Sequence, residues 1–302
     1  MSEAKQTHVF KEAEGCTLRA DVYRPAGDGP HPVIVWMHGG ALITGHRAGV
    51  SSREVPLYCG ADYAMVSIDY RLAPTTKLAE TIEDVRDAFA WVRAEGPDLF
   101  AADPDRLVAM GSSAGGYLTL MAGFCVEPRP RALVAVAGYG DIVGDWYSRP
   151  DPFYRRQPLI EEQAARAAVG AEPTVGTPDR QGQRGSFYLW CRQNGRWPIE
   201  VAGHDPDREP EAFRPFCPVQ NVTRQYAPTF LIHGNRDTDV PYEQSVMMAR
   251  ALAAAGVDHE FVTIEGGGHC SMGGSEAEVK ATYARVLAFL KRHVGRRRVD
   301  SC

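Results

Sequence analysis

Arg106–Phe124 reads RLVAMGSSAGGYLTLMAGF, and its reading decides the fold. A short apolar run, Leu107 to Met110, meets Gly111-Ser112-Ser113-Ala114-Gly115-Gly116, and a long apolar, helix-favouring segment follows at once. That order predicts strand, tight turn and helix, with Ser113 at the apex. The spacing Gly-x-Ser-x-Gly suits a nucleophile elbow, because the turn strains the Ser backbone and a side chain at either flanking glycine would strike neighbouring main chain. The hydroxyl would then sit at a helix N-terminus, where free N–H groups and the helix dipole favour developing negative charge. Taken alone, the same residues also describe a small-residue helix start.

Around this stretch, strands and helices alternate. Val9-Phe10 and Leu18–Tyr23 form two short edge strands with a Glu-Gly turn between them. Val33–Met37 is apolar at every position, which predicts a strand covered on both faces, and it runs into His38-Gly39-Gly40-Ala41. Ala61–Tyr70 is a further strand. Thr81–Glu95 carries Ile82, Val85, Phe89 and Val92 at helical spacing. Asp103-Pro104-Asp105 is a turn, Ala132–Gly138 a buried strand, Thr229–His233 and His259–Ile264 two more. Tyr242–Ala255 and Glu276–Val294 are helices. The class is therefore α/β with a mainly parallel sheet.

The rhythm breaks between Tyr139 and about Tyr226, where Pro, Arg and Gln are frequent, three of the five Trp lie, and only Glu161–Val169 has a helical pattern. A stretch so long and so aromatic is neither a loop nor a linker. It predicts an inserted cap, residues 141–225, interrupting a single domain made of 1–140 and 226–302.

The 302 residues suffice for a large core, and a net charge of −5 argues against a nucleic-acid partner. Arg296-Arg297-Arg298 is expected to be a solvated tail. The polar start and the lack of a long apolar run lead us to expect a cytoplasmic protein with no membrane span. Seven scattered Cys without a C-x-x-C pair fit reduced thiols. Cys270 stands beside His269, yet no turn like that at Ser113 presents it as a nucleophile.

A serine needs a base, and the base an orienting acid. Asp237 and Asp239 follow the strand ending at His233, and His269 follows the glycine run after the last strand. HGGA (38–41), DYRLAP (69–74), DPDRLVAMGSSAGG (103–116), HGNRDTDVP (233–241) and GGGH (266–269), in that order, resemble the α/β-hydrolase family, in particular carboxylesterases of its hormone-sensitive-lipase and feruloyl-esterase-like branches.

The resemblance implies an α/β-hydrolase fold, Ser113 as nucleophile, His269 as general base and Asp237 as acid. Asp239 is the rival for the last role, since spacing puts both carboxylates on one face. It further implies an oxyanion hole from the backbone N–H groups of Gly40, Ala41 and Ala114, with His38 bracing its loop. No metal or organic cofactor is implied. Ala41 replaces the usual third glycine, and Ser112 the Asp that often precedes the nucleophile, which leaves the substrate class open. The expected activity is hydrolysis of a small-molecule ester, with Trp146, Tyr147, Trp190 and Trp197 suggesting a pocket for its apolar or aromatic portion. Amide hydrolysis of arylformamidase or acyl-peptide hydrolase type on the same triad, and a silent small-molecule receptor, are the alternatives. The oligomeric state is not read from the sequence, a homodimer being one option.

Overall fold

Hydrophobicity along the strands dictates how the sheet is built. The computed structural model describes residues 5–13, 15–178 and 182–295. Eight strands form one sheet in the order β1-β2-β4-β3-β5-β6-β7-β8: β1 (Gln6–Ala13), β2 (Cys16–Tyr23), β3 (His31–Met37), β4 (Ala64–Ile68), β5 (Ala102–Ser112), β6 (Ala132–Val136), β7 (Thr229–Gly234) and β8 (His259–Ile264). β1 and β2 pair antiparallel, and β2 pairs antiparallel with β4. From β4 to β8 every pairing is parallel. The central strands β3, β4 and β6 are buried at every residue, as expected of parallel strands covered on both faces.

Helices complete the layers. α1 (Glu54–Gly60) and α9 (Glu276–Val294) cover one face, packing with Ile34, Met65, Val108, Val134 and Phe230. α2 (Leu78–Phe100) and α3 (Ala114–Cys125) cover the other, with Val35, Val66, Ala109 and Leu133. A capping box starts α9, where Ser275 accepts from Glu278 N–H and Glu278 reaches back to the Ser275 N–H.

The segment between β6 and β7, residues 137–228, carries α4 (Asp145–Ser148), α5 (Glu162–Val169), α6 (Gly185–Asn194) and α7 (Trp197–Ala202). Phe187, Trp190 and Trp197 from this segment belong to the same hydrophobic core as α2 and α3. The helix after β7, α8 (Glu243–Ala255), returns the chain to the sheet.

Several sequence expectations shift. β4 is shorter than Ala61–Tyr70, because α1 and its turn occupy the residues just before Ala64. β5 begins at Ala102 and runs through the expected turn at 103–105, where the Asp105 N–H bonds to the Asp103 carboxylate. α2 continues through Pro97 to Phe100, and α1, α4, α6 and α7 had no counterpart in the sequence reading. The Arg296–Arg298 tail, Glu14 of the first turn and Cys302 lie outside the described residues.

Candidate active site

Three loops and one elbow meet at the C-terminal ends of the parallel strands, the end where open α/β sheets place their ligands. The elbow joins β5 to α3. Ser113 has φ 55° and ψ −120°, a backbone state that costs a non-glycine residue about 1–3 kcal/mol and persists only where surroundings enforce it. Its N–H bonds to Val136 O at 2.8 Å and its carbonyl starts α3 by accepting from Tyr117. The glycines two residues either side are sterically required: a Cβ on Gly115 would lie 2.0 Å from Met37 O, and one on Gly111 2.5 Å from the Gly115 carbonyl carbon.

The loop after β3 is strained as well. Gly40 has φ 113°, and Ala41 and Leu42 have φ 55° and 61°. Ile43 and Thr44 both donate to Gly40 O at 2.9 Å, and a Cβ on Gly40 would strike Thr44 O at 2.3 Å. His38 braces the base of this loop. Its Nδ1 lies 2.8 Å from Gly39 O, its ring stacks on Tyr70 at 4.0 Å, and the Tyr70 hydroxyl donates to its carbonyl. Burial pushes the His38 pKa down to about 4, so the ring is neutral at pH 7.

After β7, the Asp237 side chain is fully buried and richly bonded. Its Oδ1 accepts from the N–H groups of Asp239 and Val240 at 2.8 and 3.0 Å; its Oδ2 lies 3.2 Å from His233 Nε2 and 2.7 Å from His269 Nδ1. Burial works against the carboxylate, but these donors and the His269 charge outweigh it and hold the Asp237 pKa well below the usual carboxylate range. His233 is itself fixed by Ser245 at 2.8 Å, so the acid is oriented from behind.

His269 stands on the loop after β8. Its Nε2 lies 3.4 Å from Asp239 Oδ2, so two carboxylates bracket the ring. Burial disfavours the imidazolium, yet the Asp237 hydrogen bond, the Cys270 contact and the Asp239 charge together raise its pKa above the ordinary value. Asp239 Oδ1 in turn accepts from the hydroxyls of Tyr154 (2.7 Å) and Tyr188 and from Arg192 (2.7 Å). Arg192, almost wholly buried, also pairs with Asp151 at 2.7 Å and lies 4.4 Å over the Tyr154 ring.

Ser113, His269, Asp239, Gly40 and Ala41 line one cavity of about 310 Å³, with Thr44, Tyr188 and Cys270 among its other walls. Ala114, the third expected oxyanion donor, is the first residue of α3 beside Ser113. Cys270 adopts φ 57° there. Asp237 stands behind His269, away from the cavity. Among the described residues no group of three or more His, Cys, Asp or Glu is arranged to hold a metal ion.

Trp146, Tyr147, Trp190 and Trp197 are not among the residues that line this cavity. Tyr147 stacks between Trp146 (3.6 Å) and Trp197 (4.1 Å), and Trp197 and Tyr147 are fully buried. Trp190 is buried beneath Arg166, 5.1 Å away. Rings so large pack best against one another, and this stack joins the core instead of the cavity wall. The ring that does reach the cavity is Tyr188, which the sequence reading passed over. Its signal was its spacing four residues before Arg192, one face of one helix carrying a hydroxyl and a guanidinium.

Comparison with known proteins bears on the fold and on the general class of its relatives. Residues 20–130 match the BD-FAE family model and residues 186–297 that of the prolyl oligopeptidase family. Among curated proteins, esterase LipC of Mycobacterium tuberculosis is 30% identical over 245 residues, covering 80% of this chain and 53% of its own. The non-reducing polyketide synthase ausA of Aspergillus calidoustus is 28% identical over 316 residues, covering 87% of this chain and 13% of its own. The chain thus spans about half of the first and about an eighth of the second. Among solved structures, an alpha/beta hydrolase superfamily protein from Enterococcus faecalis superposes with a TM-score of 0.73 at 19% identity, covering 96% of this chain and 99% of that one. Thermogutta terrifontis esterase 2 gives 0.68 at 19%, covering 99% and 96%. These likenesses to solved structures show the fold of the alpha/beta hydrolase superfamily.

Proposed function

We propose that this chain hydrolyses small carboxylic esters through an acyl-enzyme on Ser113, with His269 as general base and Asp237 as its orienting acid. The observation that supports it most is Asp237: a buried carboxylate with four donors, one of them His269 Nδ1 at 2.7 Å, while His269 and Ser113 line the same cavity. His269 takes the Ser113 proton as the serine attacks the ester carbonyl. Backbone N–H groups of Gly40, Ala41 and Ala114 receive the oxyanion, and the protonated imidazole releases the alcohol. Water, deprotonated by the same ring, then frees the acid and restores the serine. The cavity volume of about 310 Å³ suits a short acyl group.

We take residues 141–225 to act as the cap of this site, with Tyr188 as its contribution to the cavity wall. Among the described residues no helix is long and apolar enough to cross a membrane. The six described cysteines are free thiols, which fits a reducing, cytoplasmic setting. Amide hydrolysis is a second reading, favoured by the prolyl oligopeptidase match over 186–297. The test is turnover of p-nitrophenyl acetate against matched formanilide and peptide anilide substrates. Ester turnover that vanishes in Ser113→Ala, with a fluorophosphonate adduct mapped to Ser113, supports the proposal. Full ester activity in that variant sinks it.

A further inference from the structure

Three successive carbonyls in the loop after β3 each accept a hydrogen bond from outside that loop. Trp197 Nε1 donates to Ala41 O at 3.0 Å. Ala73 N–H donates to Leu42 O at 2.8 Å. Arg184 Nε donates to Ile43 O at 2.6 Å. Trp197 and Arg184 belong to the segment between β6 and β7, more than a hundred residues downstream.

Arg184 does more than hold one carbonyl. Its other two nitrogens donate to Val169 O, at the end of α5, and to Ala73 O, so one buried guanidinium ties three chain segments together. The segment approaches the loop closely at a fourth place, where a Cβ on Gly176 would lie 1.5 Å from Gly45 O. Thr174 O accepts from Leu72 N–H at 3.0 Å beside it.

These contacts matter because the loop cannot hold its shape unaided. Ala41 and Leu42 sit in the left-handed region, where a side chain is disfavoured, and they stay there only when neighbours enforce it. A peptide is planar, with its C=O and the following N–H pointing opposite ways. The Gly40 carbonyl, tied to Ile43 and Thr44 N–H, therefore orients the Ala41 N–H. The Ala41 carbonyl, tied to Trp197, fixes the next plane. Both planes flanking Ala41 are pinned, one from within the loop and one from the inserted segment.

We infer that Trp197 and Arg184 are positioning residues for oxyanion stabilisation, holding the Gly40–Ile43 backbone in the strained form that presents the Gly40 and Ala41 N–H groups to the cavity. This inference rests on the ester-hydrolase reading of the same site. It gives the inserted segment a part in the chemical step, distinct from lining a pocket.

The test uses Trp197→Phe, which keeps a ring on Tyr147 and removes the N–H together with part of the indole, and Arg184→Lys, which keeps the charge and loses the fork. Wild type is first treated with paraoxon, whose phosphoryl oxygen needs the same donors. An unreactive wild-type protein overturns the ester reading and this inference with it. In a reactive one, loss of a whole oxyanion donor costs about 100- to 1000-fold, so a loosened donor is expected to cost about tenfold in kcat and in the phosphorylation rate. KM for p-nitrophenyl acetate stays within about twofold, the pH profile keeps its midpoint, and hydrogen exchange of the 40–44 amides speeds up. Wild-type kcat with a raised KM would make Trp197 a pocket wall and overturn the inference, as would unchanged amide exchange in both variants.

Discussion

Asp239→Asn removes one negative charge 3.4 Å from Nε2 of the candidate base His269 while keeping the side chain's size. At that separation two unit charges interact by about 1 kcal/mol in bulk water and about 5 kcal/mol at an effective dielectric of 20. Asp239 lies toward the lower end, because Arg192 sits 2.7 Å from its other oxygen and the side chain is 23% exposed. We therefore expect about 1.4 kcal/mol, which corresponds to about one pKa unit. The sign follows from the site. His269 is charged more readily than an ordinary histidine because the Asp237 bond, the Cys270 contact and the Asp239 charge outweigh its burial. Removing one of these acceptor charges lowers the pKa of the ring, so the neutral, proton-accepting form survives to lower pH.

The assay is kcat/KM for p-nitrophenyl acetate against pH, whose acid limb reports the essential base in the free enzyme. The midpoint of that limb should fall by about one pH unit in Asp239→Asn, with the plateau within about threefold of wild type. The two backbone donors to Asp237 include the Asp239 N–H, which the substitution leaves in place. A thermal melt on the same sample shows whether Arg192, now facing a neutral amide, has disturbed the fold. A limb that stays put or moves up in a well-folded variant refutes the charge argument.

Other perturbations test the frame around the site. Asp84 is fully buried and accepts from Arg71 N, Nε and a terminal guanidinium nitrogen and from Lys11, so Asp84→Ala should cost about 3 kcal/mol or more in urea unfolding at pH 7. His38 is neutral when folded, its pKa pushed by burial down to about 4; an unfolded His protonates below about 6.5, so its stabilisation is present above that pH and fades on acidification toward 4. From pH 7 to pH 5 this should cost about 2 kcal/mol, and His38→Asn should show a correspondingly flatter dependence. Gly115→Ala puts a methyl 2.0 Å from Met37 O and should abolish soluble expression or lower Tm by well over 10 °C, where a surface Gly→Ala would not. The cavity of about 310 Å³ predicts that kcat/KM falls at least tenfold from acetyl or butyryl to octanoyl p-nitrophenyl esters.

The parts legible in the sequence were those where local chemistry and tertiary role coincide. Val33–Met37 is apolar throughout because β3 is covered on both faces, and Gly111 and Gly115 stand where the elbow leaves no room for a Cβ. The inserted segment was legible only as a break in rhythm. Its helices α6 and α7 carry charged and aromatic residues whose partners lie far away in the chain: Arg192 with Asp239 and Asp151, Trp197 with Ala41. A helical period cannot display such pairings. Composition likewise cannot tell a buried stack from a substrate wall, and Trp146, Tyr147 and Trp197 form a stack.

Asp237 and Asp239 show where spacing gives way to geometry. Two residues apart on one loop, they offer the same carboxylate, and the sequence ranks them only through resemblance. In the folded chain both reach His269, but their other partners differ. Asp237 turns inward, where two backbone N–H groups and His233 take up three of its bonds and the fourth goes to His269 Nδ1. Asp239 places Oδ2 3.4 Å from His269 Nε2, and its Oδ1 accepts from Tyr154, Tyr188 and Arg192 of the inserted segment. The loop after β3 divides in the same manner: it lines the cavity, while its carbonyls bond to Trp197, Ala73 and Arg184. At both loops the sheet supplies the groups that could react and the inserted segment constrains how they are held. Substitutions in α6 and α7 should therefore change rate as well as substrate preference, although only Tyr188 of those two helices lines the cavity.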